Sequence, residues 1–248
     1  MSNCHRFAAV PLAGGGTPVR DWLAADRLPT LDLADCPGLV IVSPHPDDET
    51  LGLGATAAQL AAAGVDVQMV AVSDGGGAHP DLSPSERDRL ERTRRTELSR
   101  AAAILGVSPP ICLGLPDGQL ADHEGALADL LAEILEARAG AWCAATWRGD
   151  GHPDHEAVGR AAAEAARRTG AAFVEYPVWM WHWARPGDPA VPWHRAASVA
   201  LTRSALGRKQ YAAHSFRSQF ESPTPDSPPV LPPFVLPRLL AVGEVVFR

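Results

Sequence analysis

The chain reads as a single-domain α/β fold, a mostly parallel, Rossmann-like sheet with helices on both faces. Three observations predict this. From residue 38 onward, short apolar runs alternate with Ala- and Leu-rich helical stretches. The apolar runs are continuous, as in strands covered on both sides. Two polar segments, 44–49 and 152–155, each follow such a run. They fall at the carboxyl ends of strands, where open α/β sheets place their crevice.

Residues 1–37 form an irregular lead-in with a glycine triplet at 14–16 and scattered prolines, ahead of a domain spanning 38–248. Gly38–Ser43 is a buried strand and 49–63 a helix. A second strand covers 65–73, followed by the loop Asp74-Gly75-Gly76-Gly77. A long helix over 85–105 stops at Gly106. Strand 110–115, helix 125–139, strand 141–147 and helix 154–169 continue the alternation. Strands are expected over 173–179 and 197–202, a helix over 204–220 and an edge strand over 244–247. In that last helix Arg208, Lys209, His214 and Arg217 read as mostly solvated. The proline-dense stretch 222–237 resists regular structure. It is free to wrap the domain or to make oligomer contacts.

Composition removes several function classes. A net charge of −7 over 248 residues argues against binding a nucleic-acid backbone. Hydrophobic content of 46% supports a substantial core. Lysine occurs once, at Lys209, so arginine carries the positive charge. Cys4, Cys36, Cys112 and Cys143 are widely spaced, as in a reduced, cytoplasmic protein. No basic-then-apolar leader pattern and no apolar run of membrane-spanning length is present.

The two polar segments carry the chemistry. In His45-Pro46-Asp47-Asp48-Glu49, proline stiffens a turn so that successive side chains diverge. One carboxylate can bind a metal while its neighbour faces water. In His152-Pro153-Asp154-His155, a helix begins, and its dipole discourages protonation of His155, as metal ligation requires. Asp154 is placed to orient His152 and favour its protonated form. Arg94 falls between Leu90 and Leu98 on the inward stripe of its helix, so it needs an acidic partner or a wet pocket. Trp179, Trp181 and Trp183 share one face if extended, forming either a packed wall or a ring-stacking surface.

These segments, together with Leu113-Gly114-Leu115-Pro116-Asp117-Gly118, Arg94-Arg95-Thr96-Glu97-Leu98 and Ser218-Gln219, resemble the LmbE/PIG-L superfamily of zinc-dependent N-deacetylases over roughly residues 38–220. The resemblance implies that His45, Asp48 and His155 ligate zinc, that Asp47 is the general base, and that His152, oriented by Asp154, assists the tetrahedral intermediate or the leaving amine. It implies that Arg94 and Asp117 hold sugar hydroxyls. One branch of the superfamily carries a tyrosine two residues before the first histidine of the second motif; here that position is Asp150. The implied activity is N-acetylglucosaminyl deacetylase-like. A metal-dependent hydrolase removes an acetyl group from an N-acetylated amino sugar or sugar conjugate by attack of zinc-bound water. A His/Asp/His set also accepts iron, cobalt or manganese. Two other readings remain open, an amidase acting on another small-molecule amide and a catalytically silent binding module of the same fold. A nucleotide-binding oxidoreductase is disfavoured, because Gly52-Leu53-Gly54 lacks the dinucleotide fingerprint spacing.

Overall fold

A computed structural model describes residues 2–33, 35–79, 81–221 and 228–248. Its strands are β1 (Thr30–Leu31), β2 (Gly38–Ser43), β3 (Asp66–Ser73), β4 (Ile111–Leu115), β5 (Trp142–Thr146), β6 (Phe173–Tyr176), β7 (Ala196–Val199) and β8 (Val245–Phe247). They form one sheet in the order β1-β7-β8-β6-β5-β2-β3-β4. Every pairing is parallel except those of β8, which runs antiparallel to β6 and β7. The helices are α1 (Cys4–Ala8), α2 (Val19–Leu23), α3 (Asp48–Ala62), α4 (Pro84–Leu105), α5 (Glu124–Glu136), α6 (Pro153–Thr169), α7 (Met180–Trp183), α8 (Arg203–Ala213), α9 (Arg217–Phe220) and α10 (Val235–Val242).

The continuous apolar strands have cores on both sides. Along β2, Leu39 and Ile41 pack among residues of α3 and α4, whereas Val40 and Val42 pack among residues of α5 and α6. From β2 the chain first builds outward through β3 and β4, then crosses back to place β5 on the other side of β2. The order therefore reverses between β2 and β5, and a crevice opens beyond their carboxyl ends. Both polar segments emerge there. Gly52 lets α3 sit low on the sheet, since a Cβ would overlap the Tyr176 ring. The Tyr176 hydroxyl donates to the Val42 carbonyl at 2.9 Å.

Several expectations need correction. The first 37 residues are not irregular throughout: α1 and α2 form there, and β1 pairs with β7. The strand expected over 173–179 stops at Tyr176, because the Asp150 carboxylate collects the next free backbone amides and starts α7. The Trp179–Trp183 segment is thus a helical turn, and its indoles do not share an extended face. The helix expected over 204–220 breaks into α8 and α9. Lys209 is 1% exposed, its ammonium paired at 2.8 Å with Glu244. Glu244 also accepts the backbone amides of Ala55 and Thr56, just past the non-helical Leu53 of α3, so it caps the second half of that kinked helix. Within the proline-dense stretch, residues 222–227 lie outside those described, and α10 begins at Val235, inside the span expected to be irregular. No helix among the described residues is long and apolar enough to cross a membrane.

Candidate functional site

The turn after β2 is built under strain. Asp47 has φ of 134°, and among the described residues it is the one non-glycine residue at positive φ. The turn is tied down from three sides. Ser73 donates to the Pro44 carbonyl at 2.8 Å, Arg94 to the Pro46 carbonyl at 2.8 Å, and the Asp47 amide to Glu49 at 3.2 Å. Asp48 then opens α3, where the free amides of the first turn favour a carboxylate.

The segment after β5 is set by helix capping. His152 is the N-cap of α6, its Nδ1 accepting from the Asp154 amide at 3.2 Å, and Pro153 fills the first helical position. Arg148 clasps Glu175 through its backbone amide and guanidinium, which fixes the approach from β5. The N-terminal segment closes the far side. Asn3 bonds both Glu156 and the Gly149 carbonyl at 2.8 Å, and the Phe7 ring stands 6.4 Å from that of His152 and 5.1 Å from that of Trp179.

Between the two segments lies a cavity of about 250 Å3 lined by His45, Asp47, Asp48, Arg94, Asp117 and His152, with Trp179, Val230 and Leu231 on its apolar side. The donor atoms of His45, Asp48 and His155 all lie within 4.8 Å of one another, as do those of a second set, His45, His152 and Asp154. His155 Nε2 is buried 3.2 Å from an Asp48 oxygen yet makes no hydrogen bond. An orphaned imidazole nitrogen facing a carboxylate, with another imidazole 3.2 Å from the same carboxylate, fits a divalent cation. The protonation pattern agrees. Burial alone would lower the pKa of His155, but Asp48 and Asp150 outweigh it and push it up to about 9. His45 is raised well above the usual range, with Asp117, Asp154 and Asp48 overcoming burial. Asp48 is held far below its usual value by the two histidines despite burial.

All eight residues singled out from the sequence meet at this crevice, although some contacts differ from expectation. Arg94 is 3% exposed, donating to the Gly75 and Pro46 carbonyls with Asp47 3.5 Å away. Its guanidinium thus serves the turn as well as lining the cavity. Asp117 joins His45 at 2.9 Å to the Gly77 amide at 2.7 Å. Asp154 holds His152 through its backbone amide and not its carboxylate, which accepts from Gly118 and Leu120 and faces His45 at 3.2 Å. Nor is His152 held protonated, since burial and the neighbouring His155 and His45 push its pKa down. Burial pushes the Asp47 pKa well up, with Asp48 and Glu49 adding to the shift and Arg94 opposing it.

Sequence reasoning missed Asp150. Fully buried, it accepts the Val178, Trp179 and Met180 amides at 2.9–3.0 Å and faces His155 Nδ1 at 2.8 Å. That contact places the proton on Nδ1 and leaves Nε2 free to ligate. The available signal was a carboxylate five residues before His155, in a glycine-flanked turn.

Comparison with known proteins accords with this geometry. A relative from Nocardioides sp. (strain ATCC BAA-499 / JS614), a 1D-myo-inositol 2-acetamido-2-deoxy-alpha-D-glucopyranoside deacetylase, is 32% identical over 229 residues, covering 79% of this chain and 73% of the relative. A protein of the same name from Thermobifida fusca (strain YX) is 30% identical over 75% of this chain and 70% of its own length. Among solved structures, a conserved protein of Thermus thermophilus superposes with a TM-score of 0.53 at 27% identity, covering 73% of this chain and 79% of that one. The N,N'-diacetylchitobiose deacetylase of Pyrococcus horikoshii shares the fold, with a TM-score of 0.61 at 23% identity over 78% of this chain and 73% of that one. The family model for GlcNAc-PI de-N-acetylases matches residues 40–166, from within β2 to within α6 and so across both polar segments, and the chain belongs to this PIG-L family.

Proposed function

We propose that this protein is a zinc-dependent N-deacetylase that hydrolyses the acetamide of an N-acetylated amino sugar or sugar conjugate. The observation that carries the reading is the convergence of His45, Asp48 and His155 at the cavity, with one imidazole nitrogen left without a hydrogen bond. Family membership and the names of the relatives support the reaction class. The lining supports the substrate class. Arg94 and Asp117 line the cavity together with Trp179 and Leu231, a mixture that suits a ring with hydroxylated edges and an apolar face.

His45, Asp48 and His155 would hold the ion. A bound zinc supplies Lewis-acid polarisation and lowers the pKa of water from about 16 towards 7, and the same donors accept iron, cobalt or manganese. Asp47 serves as general base. Burial raises its pKa and so strengthens it as a base, and the same carboxyl can return the proton to the departing amine. With Nδ1 occupied as an acceptor, neutral His152 carries its proton on Nε2 and donates to the developing oxyanion. Asp150 keeps His155 in the ligating tautomer. The free cysteines among the described residues suit a reducing compartment such as the cytoplasm.

The test is elemental analysis of wild type and His155→Ala, with acetate release from N-acetylglucosamine and its glycosides measured on the same samples. About one ion per chain, lost in the variant together with acetate release, is the expected result. Metal without acetate release would redirect the reading to another amide. No metal under any loading condition would overturn it in favour of a binding module.

A further inference from the structure

The turn that presents His152 leans on a segment far away in sequence. His152 follows Gly149-Asp150-Gly151, a turn whose two glycines have no side chain to pack. Gly151 sits at φ of 96°, a conformation that favours glycine. Left alone, such a turn would be loose. Residues 3–7 tie it down. The Asn3 side-chain amide donates to the Gly149 carbonyl at 2.8 Å. One Glu156 oxygen accepts the backbone amides of both Asn3, at 2.8 Å, and Gly151, at 3.2 Å. Phe7 packs so close to Gly151 that a Cβ added there would fall 2.9 Å from the Phe7 Cβ. Asn3 and Glu156 are 6% and 1% exposed, so these bonds lie out of water, where they are stronger.

The segment is itself anchored. The Asn3 carbonyl accepts the Arg6 and Phe7 amides and so starts α1. Arg6 pairs with Asp188 at 2.8 Å, and its guanidinium stands 5.3 Å from the centre of the Trp183 ring. The Val10 carbonyl accepts from His182 at 3.0 Å. Residues 3–10 lie outside 40–166, the stretch that the family model matches.

Phe7 also bears on the imidazole. His152 Nδ1 accepts from the Asp154 amide at 3.2 Å. That bond fixes one nitrogen, but the second side-chain torsion of histidine is broad, so the tilt of the ring depends on what packs against it. The His45 and His155 rings stand 5.2 and 5.0 Å from that of His152, and Phe7, at 6.4 Å, adds a neighbour without polar groups. Phe7 packs at 5.1 Å on Trp179 as well, which lines the cavity.

We propose that Asn3 and Phe7 are positioning residues. The N-terminal segment clamps the Gly149–Gly151 turn and sets the orientation of His152, so that its Nε2–H meets the developing oxyanion. This deepens the deacetylase reading and rests on it. A hydrogen bond weakens steeply with angle, so loosening the clamp costs turnover rather than substrate binding.

The test uses Asn3→Ala and Phe7→Ala in the full, metal-loaded chain. Acetate release from N-acetylglucosamine and its glycosides gives kcat and KM, and elemental analysis gives metal content. Hydrogen exchange read by mass spectrometry gives the protection of residues 149–152. Each variant should lower kcat by about 10- to 100-fold, with KM within about twofold of wild type and metal content unchanged. Exchange at 149–152 should become faster. In a His152→Ala background the same substitutions should alter kcat by less than about twofold, because the residue they act through is gone. Phe7→Leu, which keeps an apolar side chain against the turn, should restore most of kcat. Unchanged kcat, equal losses in both backgrounds, loss of metal or unchanged exchange would overturn the proposal. Should Phe7→Ala fail to fold, Asn3→Ala is judged by the same criteria. If wild type releases no acetate, the deacetylase reading fails by itself. Exchange then decides the clamp: faster exchange at 149–152 in the variants keeps it, and unchanged exchange removes it.

Discussion

The two halves of the candidate metal site are held in place by different means. The β2 half is a strained turn whose geometry is imposed from elsewhere. Asp47 sits at φ of 134°, and the contacts that hold the turn come from β3, α3 and α4. The β5 half is largely local. Helix capping sets His152, and one carboxylate three positions before α6 sets His155. Strain in the first half sets Asp47 beside Asp48 while Asp48, not Asp47, joins the His45 and His155 donor atoms. In the second, the Asp150 carboxylate gives His155 a fixed tautomer. The difference says where each half is vulnerable. The first should fail in chemistry, the second in affinity for metal.

The largest expected effect therefore comes from Asp47→Asn. Asparagine keeps the shape and tolerates positive φ but cannot take up a proton. Turnover should fall by about 10²–10⁴, the usual contribution of a positioned base, while metal content stays at the wild-type level. Parallel loss of metal would show that Asp47 is itself a ligand and that the two halves are not divided as described.

Asp150→Asn probes the other half. One amide group would replace an oxygen that accepts backbone N–H groups, and His155 would lose its fixed orientation. Metal affinity should fall about 10- to 100-fold. Stability should fall by roughly 1–3 kcal/mol from unsatisfied buried groups. Activity at saturating metal should recover most of its wild-type value, a recovery that Asp47→Asn lacks. Competition with a chromogenic chelator reads the affinity. An unchanged affinity with lowered stability would reduce Asp150 to a fold-stabilising role.

The pH response sharpens the same division. In the metal-free protein the His155 pKa stands at about 9, above its unfolded value of 6.5. Its contribution to stability is fully present below 6.5 and is lost as pH rises through 9. Ligation needs the same nitrogen unprotonated, so metal affinity should move the opposite way, rising by about tenfold per pH unit for each proton displaced. Thermal melts of stripped and loaded protein between pH 6.5 and 9.5 should therefore diverge as pH rises. Parallel curves would mean that no shared proton links folding to the metal site.

Much of this site is legible in the sequence because its chemistry sits in two contiguous segments, each following a strand whose apolar run is continuous. Residue type and spacing mark the carboxylates of 47–49 and His155 as candidates for a metal, whereas the choice of His45, Asp48 and His155 as a set is what the family resemblance implies. Less legible are the residues whose role depends on a partner distant in sequence. Arg94 is visible as a charge on an apolar stripe, but its bond to the Pro46 carbonyl spans 48 positions. Asp154 looks like a partner for His152 because the two are near in sequence, yet helix geometry turns its carboxylate towards Gly118 and Leu120. Lys209 sits in a polar helix pattern, and only Glu244, 35 residues on, explains its burial. The tryptophan segment misleads for a similar reason. Its period of two suggests a strand, but Asp150 supplies the acceptors that start a helical turn.

The smallest expected effect tests whether the first half is strained at all. At Asp47→Gly the backbone keeps its positive φ without the Cβ penalty, and a desolvated carboxylate is removed. Arg94 loses its carboxylate at 3.5 Å but retains both carbonyl partners and the nearby Asp117 charge, which limits the cost. Glycine gains freedom in the unfolded chain, which offsets part of the relief. The expected net change is a stabilisation of about 1 kcal/mol, accompanied by loss of turnover. Denaturant unfolding of the metal-free proteins isolates the effect from ligand binding. A destabilised Asp47→Gly would mean that the Asp47–Arg94 contact contributes more than the strain costs, and that the β2 half, like the β5 half, is held chiefly by its own polar contacts.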